Sequence, residues 1–209
     1  IFALILLKGS SAMANIKNVL ICGGGLMGKN IAFVVSSVKD YQITIYDIND
    51  VDYVGGIKTS TKQLVDKGIV TPEELEERLS RISFTKDMTD ERVKNADLVI
   101  EAVFENLDVK RATFDQLEAN CRPDCIFCTN SSVMSPTVIS ANLKHREIFI
   151  GTHFWNPAFL IPLVVLYQHQ TLMKKFAFLR LMVIVKNNIK HANFITLKKH
   201  PKQKLIVKL

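Results

Sequence analysis

Short apolar runs alternate with amphipathic stretches from Asn18 to Thr152. Each run is four to seven residues of mostly Val, Ile, Leu, Phe and Cys, the length and texture of a buried strand. The pattern predicts strands at about Asn18–Cys22, Gln42–Tyr46, Arg81–Thr85, Asp97–Val103, Asp124–Thr129 and Ile148–Thr152. Helices are predicted between them, at Met27–Ser37, Gly55–Lys67, from Thr71 to about Ser80, Asp87–Lys94, Leu107–Asn120 and Pro136–Leu143. Gly68 ends the second helix. Thr71 and Glu74 form a capping box around Pro72 at the start of the third. Leu107, Phe114, Leu117 and Ala119 fall on or near one face of the fifth. Strands alternating with helices give an α/β fold: a doubly wound parallel sheet, Rossmann-like, with a helical insertion after the second strand. In such a sheet, sites gather at the strand C-termini.

The first strand runs into Gly23-Gly24-Gly25-Leu26-Met27-Gly28, a Gly-x-Gly-x-x-Gly turn followed by a helix. Gly23 suits the tight turn, Gly25 lets a pyrophosphate approach the backbone, and Gly28 lets helix and strand pack closely. The helix N-terminus then turns its free N–H groups and positive dipole toward the phosphates. Three glycines alone also fit a mobile loop. What sharpens the reading is Asp47, at the tip of the second strand and 19 residues past Gly28. A carboxylate there binds both hydroxyls of an adenosine ribose and repels a 2′-phosphate, which favours NAD over NADP.

Composition changes this picture little. The 209 residues are 48% hydrophobic and 22% charged, enough for one α/β domain and some excess. The net charge of +7 is uneven: from Leu166 onward there are nine Lys, one Arg and no acid, which leaves residues 1–165 at −3. The basic balance therefore describes the tail and not the domain. A basic tail of this kind fits an anionic lipid surface or nucleic acid, or is no evolved partner of the domain. Cys121, Cys125 and Cys128 lack a convincing fourth ligand, so the four cysteines read as buried thiols in a reducing, cytoplasmic compartment and not as a metal site. Ile1–Leu7 is too short to span a bilayer. Met13 reads as the native start. The expected organisation is residues 1–12 extraneous, 13–165 a dinucleotide-binding domain, and 166–209 a basic tail.

Three more segments leave predicted strand ends with polar residues: Glu101-Ala102-Val103-Phe104-Glu105-Asn106 with Lys110, Asn130-Ser131-Ser132, and His153-Phe154-Trp155-Asn156-Pro157. Each alone has a plain alternative: a helix-terminal acid, a turn, a core histidine. Beside a cofactor turn, a strand-end histidine points to proton and hydride chemistry, because its charge changes near neutral pH.

With these motifs in order, Asn18 to Val164 resembles the NAD-binding domain of the L-3-hydroxyacyl-CoA dehydrogenase family, in its 3-hydroxybutyryl-CoA type. The resemblance implies an NAD-dependent oxidoreductase of fatty-acid metabolism that passes a hydride between C3 of a 3-hydroxyacyl-CoA and the nicotinamide. It implies His153 as the general base and Ser132 as the group holding the substrate oxygen. Gly23, Gly25, Leu26, Met27, Gly28, Asp47, Glu105, Lys110 and Asn156 would contact NAD, with Lys110 also reaching substrate. Ser60 and Lys67 would touch the CoA moiety. Family members carry a glutamate 12 residues after the histidine that pairs with the imidazole; this chain has Val165 there. The family then continues into a helical domain that dimerises and covers the substrate, and Leu166–Leu209 does not resemble it. The expectation is a shifted reading frame or other truncation near codon 165, with NAD binding retained and turnover impaired. Two alternatives stand beside it: a non-catalytic NAD-binding protein with an interacting tail, and a relative acting on a free hydroxy acid such as a sugar acid.

Overall fold

A computed structural model describes residues 16–161 and 164–168, with two further short strand segments, Arg180–Leu181 and Ile195–Thr196. The expectations for residues 1–12, and for the tail beyond Gln168 outside those two segments, fall outside the described residues.

Seven strands form one sheet: β1 (Asn18–Cys22), β2 (Gln42–Tyr46), β3 (Ile82–Thr85), β4 (Leu98–Glu101), β5 (Ile126–Thr129), β6 (Phe149–Phe154) and β7 (Val164–Gln168). Their order is β3-β2-β1-β4-β5-β6-β7. The first six are parallel, so their C-terminal tips share one edge. Strands are added outward from β1 in one sense to β3 and in the other from β4 to β6, and this switch point opens the crevice where such sheets bind ligands. The helices are α1 (Leu26–Val35), α2 (Tyr53–Asp66), α3 (Pro72–Ser80), α4 (Glu91–Lys94), α5 (Leu107–Asn120) and α6 (Pro136–Ile139).

Strand alternation divides the core into two layers. Val19, Ile21, Ile43, Ile45, Leu98, Ile100, Ile150 and Phe154 pack with α1, α2 and α3 on one face. Leu20, Cys22, Tyr46, Val99, Phe127 and Phe149 pack with α4 and α5 on the other, where Phe114 meets Phe149 edge-on at 4.7 Å. Phe114 and Leu117 are buried as the helical period predicts, whereas Ala119 is exposed.

Three local expectations change. The helix expected from Asp87 begins only at Glu91, because Thr89 donates its N–H and hydroxyl to Asp87 Oδ1 (2.8 and 2.7 Å), an Asx-type turn that competes with helix. The capping box is half formed: Thr71 Oγ1 accepts from Glu74 N–H at 3.1 Å, but the Glu74 carboxylate pairs with Arg78. The largest change is β7. It runs antiparallel to β6 with His153 opposite Val165, and the domain boundary expected between residues 165 and 166 falls inside this paired strand. An apolar run of eight residues from Phe159 carried no periodicity that separated strand from loop.

Candidate active site

At the β1–α1 turn, Gly23 has φ +104°, a left-handed conformation that favours glycine, and its N–H donates to Tyr46 O at 2.8 Å. A Cβ on Gly28 would lie 1.7 Å from Gly23 O, so this helix sits against its own strand only because the side chain is missing. Gly25 differs. It caps α1 without a side-chain hydrogen bond, and a Cβ there would have nothing within 4 Å. Bare N–H groups facing open space at a helix start fit a pyrophosphate. Leu26 is exposed and Met27 half-buried along the same rim. Asp47 closes the turn: its Oδ2 accepts Gly24 N–H at 2.7 Å and its Oδ1 accepts Asn49 N–H at 2.9 Å. The carboxylate is half-buried and borders the glycine turn.

A buried ionic network joins the tips of β4 and β5. Glu101, fully buried, accepts from Lys110 Nζ (2.6 Å), Thr129 Oγ1 (2.6 Å) and Val103 N–H (2.9 Å). Lys110 Nζ also meets Glu105 Oε2 at 3.1 Å, and Ser131 Oγ donates to Glu105 Oε1. Burial pushes the Glu101 carboxyl up, against the pull of Lys110 and its other donors. Burial also raises Glu105, but hydrogen bonds from Ser131 and Lys110 outweigh it and hold Glu105 below the usual carboxylate range. Lys110 is 1% exposed, and its ammonium turns inward to two carboxylates.

His153 ends β6. Its Nδ1 lies 3.4 Å from Asn130 O, and its ring is 5.6 Å from that of Trp155. Asn130 is fixed from two sides, donating its N–H to Glu101 O (2.9 Å) and accepting Phe154 N–H on Oδ1 (2.8 Å). Ser132 is exposed on the same turn, and Asn156 is exposed after Trp155, before a cis Pro157. In the antiparallel register of β6 and β7, Val165 is the backbone partner of His153. Ser60 and Lys67 lie seven residues apart on α2 and at its C-cap, roughly two turns along one face. Ser60 Oγ donates to Gly56 O at 2.9 Å.

Reasoning from sequence placed Glu101, Thr129, Asn130 and Ser131 in the strand-end segments of the site but gave none of them a role of its own. One signal was present: Glu101 interrupts an otherwise apolar strand, and a strand-buried acid needs a cation. The four cysteines are buried and unbridged, and burial pushes the Cys128 thiol up to about 12. Among the described residues, no group of three or more His, Cys, Asp or Glu side chains could hold a metal.

The family described as 3-hydroxyacyl-CoA dehydrogenase, NAD binding domain, matches residues 18–207. The chain belongs to this family. The match runs past Val164, where the motif-by-motif resemblance stops. The 3-hydroxyadipyl-CoA dehydrogenase of Escherichia coli is 38% identical over 155 residues, 73% of this chain and 32% of that protein. The glyoxysomal fatty acid beta-oxidation multifunctional protein of Cucumis sativus is 36% identical over 152 residues, 71% of this chain and 21% of that one. The crystal structure of (S)-3-hydroxybutyryl-CoA dehydrogenase from Ralstonia eutropha superposes with TM-score 0.69 at 31% identity, covering 74% of this chain and 54% of that chain. The chain thus spans only part of each of these relatives. As the family's NAD-binding domain it takes NAD as cofactor, and the open α1 terminus at Gly25 with Asp47 beside it fits that ligand.

Proposed function

We propose that the protein belongs to an NAD-dependent (S)-3-hydroxyacyl-CoA dehydrogenase that forms 3-oxoacyl-CoA in fatty-acid breakdown, and that this chain turns over poorly. NAD, when bound, supplies the hydride acceptor for C3 of the substrate. The reading rests above all on His153, held at the β6 tip beside Asn130 O. With Nδ1–H donating to that carbonyl, Nε2 keeps its lone pair and takes the proton of the 3-hydroxyl as hydride leaves C3. Ser132, exposed on the neighbouring turn, holds the substrate oxygen. The glycine turn and Asp47 hold the pyrophosphate and ribose, and Glu105 and Asn156 line the nicotinamide side. Ser60 and Lys67 bind the CoA moiety on α2.

Impairment follows from position 165. A carboxylate opposite the imidazole would orient it and support its positive charge; valine does neither. By analogy with catalytic triads, losing such a partner costs on the order of 10⁴-fold in rate. Four unbridged, buried cysteines favour a reducing compartment such as the cytoplasm.

Two measurements on the full chain test this. Calorimetric titration is expected to show NAD binding; none by folded protein would remove the cofactor half of the proposal. Acetoacetyl-CoA reduction followed by NADH absorbance is expected to be very slow. A normal enzymatic rate would remove the impairment, and faster turnover of a free hydroxy acid would remove the CoA substrate.

A further inference from the structure

Glu101 is given no role in binding or proton transfer, yet it is a fully buried carboxylate at the tip of β4. We propose that Glu101 is a positioning residue that sets two walls of the site together, the glycine turn and the turn after β5. The proposal rests on the NAD reading above for its ligand, but its geometry stands alone.

The first wall is reached through Val103. Glu101 Oε1 accepts Val103 N–H at 2.9 Å. The peptide so held is the one that presses on the cofactor turn: a Cβ on Gly23 would lie 2.5 Å from Ala102 O and 2.9 Å from Val103 N. The second wall is reached by two routes. Glu101 Oε2 accepts Thr129 Oγ1 at 2.6 Å, and that hydroxyl accepts Ser131 N–H at 3.3 Å. Lys110 bridges Glu101 to Glu105, Ser131 Oγ donates to Glu105, and the same Oγ accepts Met134 N–H at 3.0 Å. Residues 129 to 134, which include Ser132 and the Asn130 carbonyl facing His153, are therefore braced by one buried carboxylate. With Glu101 at 0% and Lys110 at 1% exposure, neither charge has water to fall back on, so the loss of one forces the other to move.

The chain's single tryptophan, Trp155, lies against His153 and reports optically on this corner. The test is Glu101→Gln in the full chain, read by NADH titration through quenching of Trp155 emission, by Trp155 emission and acrylamide quenching without ligand, and by thermal unfolding. The NADH Kd is expected to rise about tenfold, the scale of one displaced charge-assisted hydrogen bond, and the ligand-free Trp155 signal to shift. Glu101→Asp, which keeps the charge on a shorter stem, is expected to fall between. Val93→Ala, in the core under α4, is the comparator: it lowers Tm but leaves Kd and Trp155 emission unchanged. If Glu101→Gln lowers Tm while leaving both site readouts at wild-type values, Glu101 is only structural and the proposal is overturned. If that variant does not fold, Thr129→Val removes one of the three donors at similar volume; a shift in the same readouts supports the proposal and no shift overturns it. If wild-type protein binds no NADH, the cofactor reading fails separately, and the ligand-free Trp155 signal still decides the role of Glu101.

Discussion

The two halves of the sheet build their share of the site by different means. On the β1–β2 side the working groups are backbone: Gly23 in a left-handed turn, Gly25 with open space above it, and one carboxylate, Asp47, accepting Gly24 N–H. Every part lies within about one βαβ unit of sequence. On the β4–β6 side the working groups are side chains at and just beyond the strand tips, and a buried network of Glu101, Lys110, Glu105, Thr129 and Ser131 joins those of β4 and β5. The first half needs the absence of side chains and tolerates change elsewhere. The second needs several side chains at once, because each buried charge in it depends on its partners. The contrast teaches that the two halves of such a site are open to different substitutions.

Placing a carboxylate at position 165, as the proposed function requires, is the strongest way to sharpen that contrast. Val165→Glu puts a carboxylate opposite His153 and is expected to raise acetoacetyl-CoA reduction by about 10²–10⁴-fold, with NAD affinity unchanged, measured by steady-state kinetics and calorimetry. Breaking the side-chain half comes next. Lys110→Met leaves two carboxylates facing one another without their ammonium, and is expected to cost about 3–5 kcal/mol in denaturant unfolding. The backbone half breaks more selectively. Asp47→Ala is expected to weaken NAD binding by about 10–100-fold, as for the loss of a charged hydrogen-bond acceptor, with little change in Tm.

The smallest effect is one of pH. Glu105 is held below the usual carboxylate range in the folded chain, so the unfolded chain binds its proton first as pH falls. Its contribution to stability is present above the ordinary glutamate value and is lost as pH drops through the lower folded value. Glu101 runs the other way. Burial raises it, so its contribution is present at low pH and is lost as pH rises through the raised value. Thermal melts of Glu105→Gln are expected to show a flatter acid limb than wild type.

Much of the nucleotide half was legible in the chain because its signals are local. A glycine pattern, a strand before it and an acid after it all lie within one unit, and strand period and apolar runs place each of them. The helix from Asp87 was misjudged because short Asp and Thr side chains compete with the backbone, which periodicity does not report. β7 was missed because an apolar run has no direction until it finds a partner. Lys110 illustrates the same limit: the motif marks it as important, but only the fold shows its ammonium turned inward.

By itself the sequence determined the six parallel strands, the glycine turn, the acid beside it and the strand-end histidine, since each follows from residue type and short spacing. Only the tertiary structure decided that one buried carboxylate, Glu101, reaches two turns and that the chain past Val164 runs back along β6, with residue 165 in register with His153. Those relations join residues 28 and 12 positions apart, and their cause is strand pairing and the cost of burying an unpaired charge, neither of which is written in any local pattern.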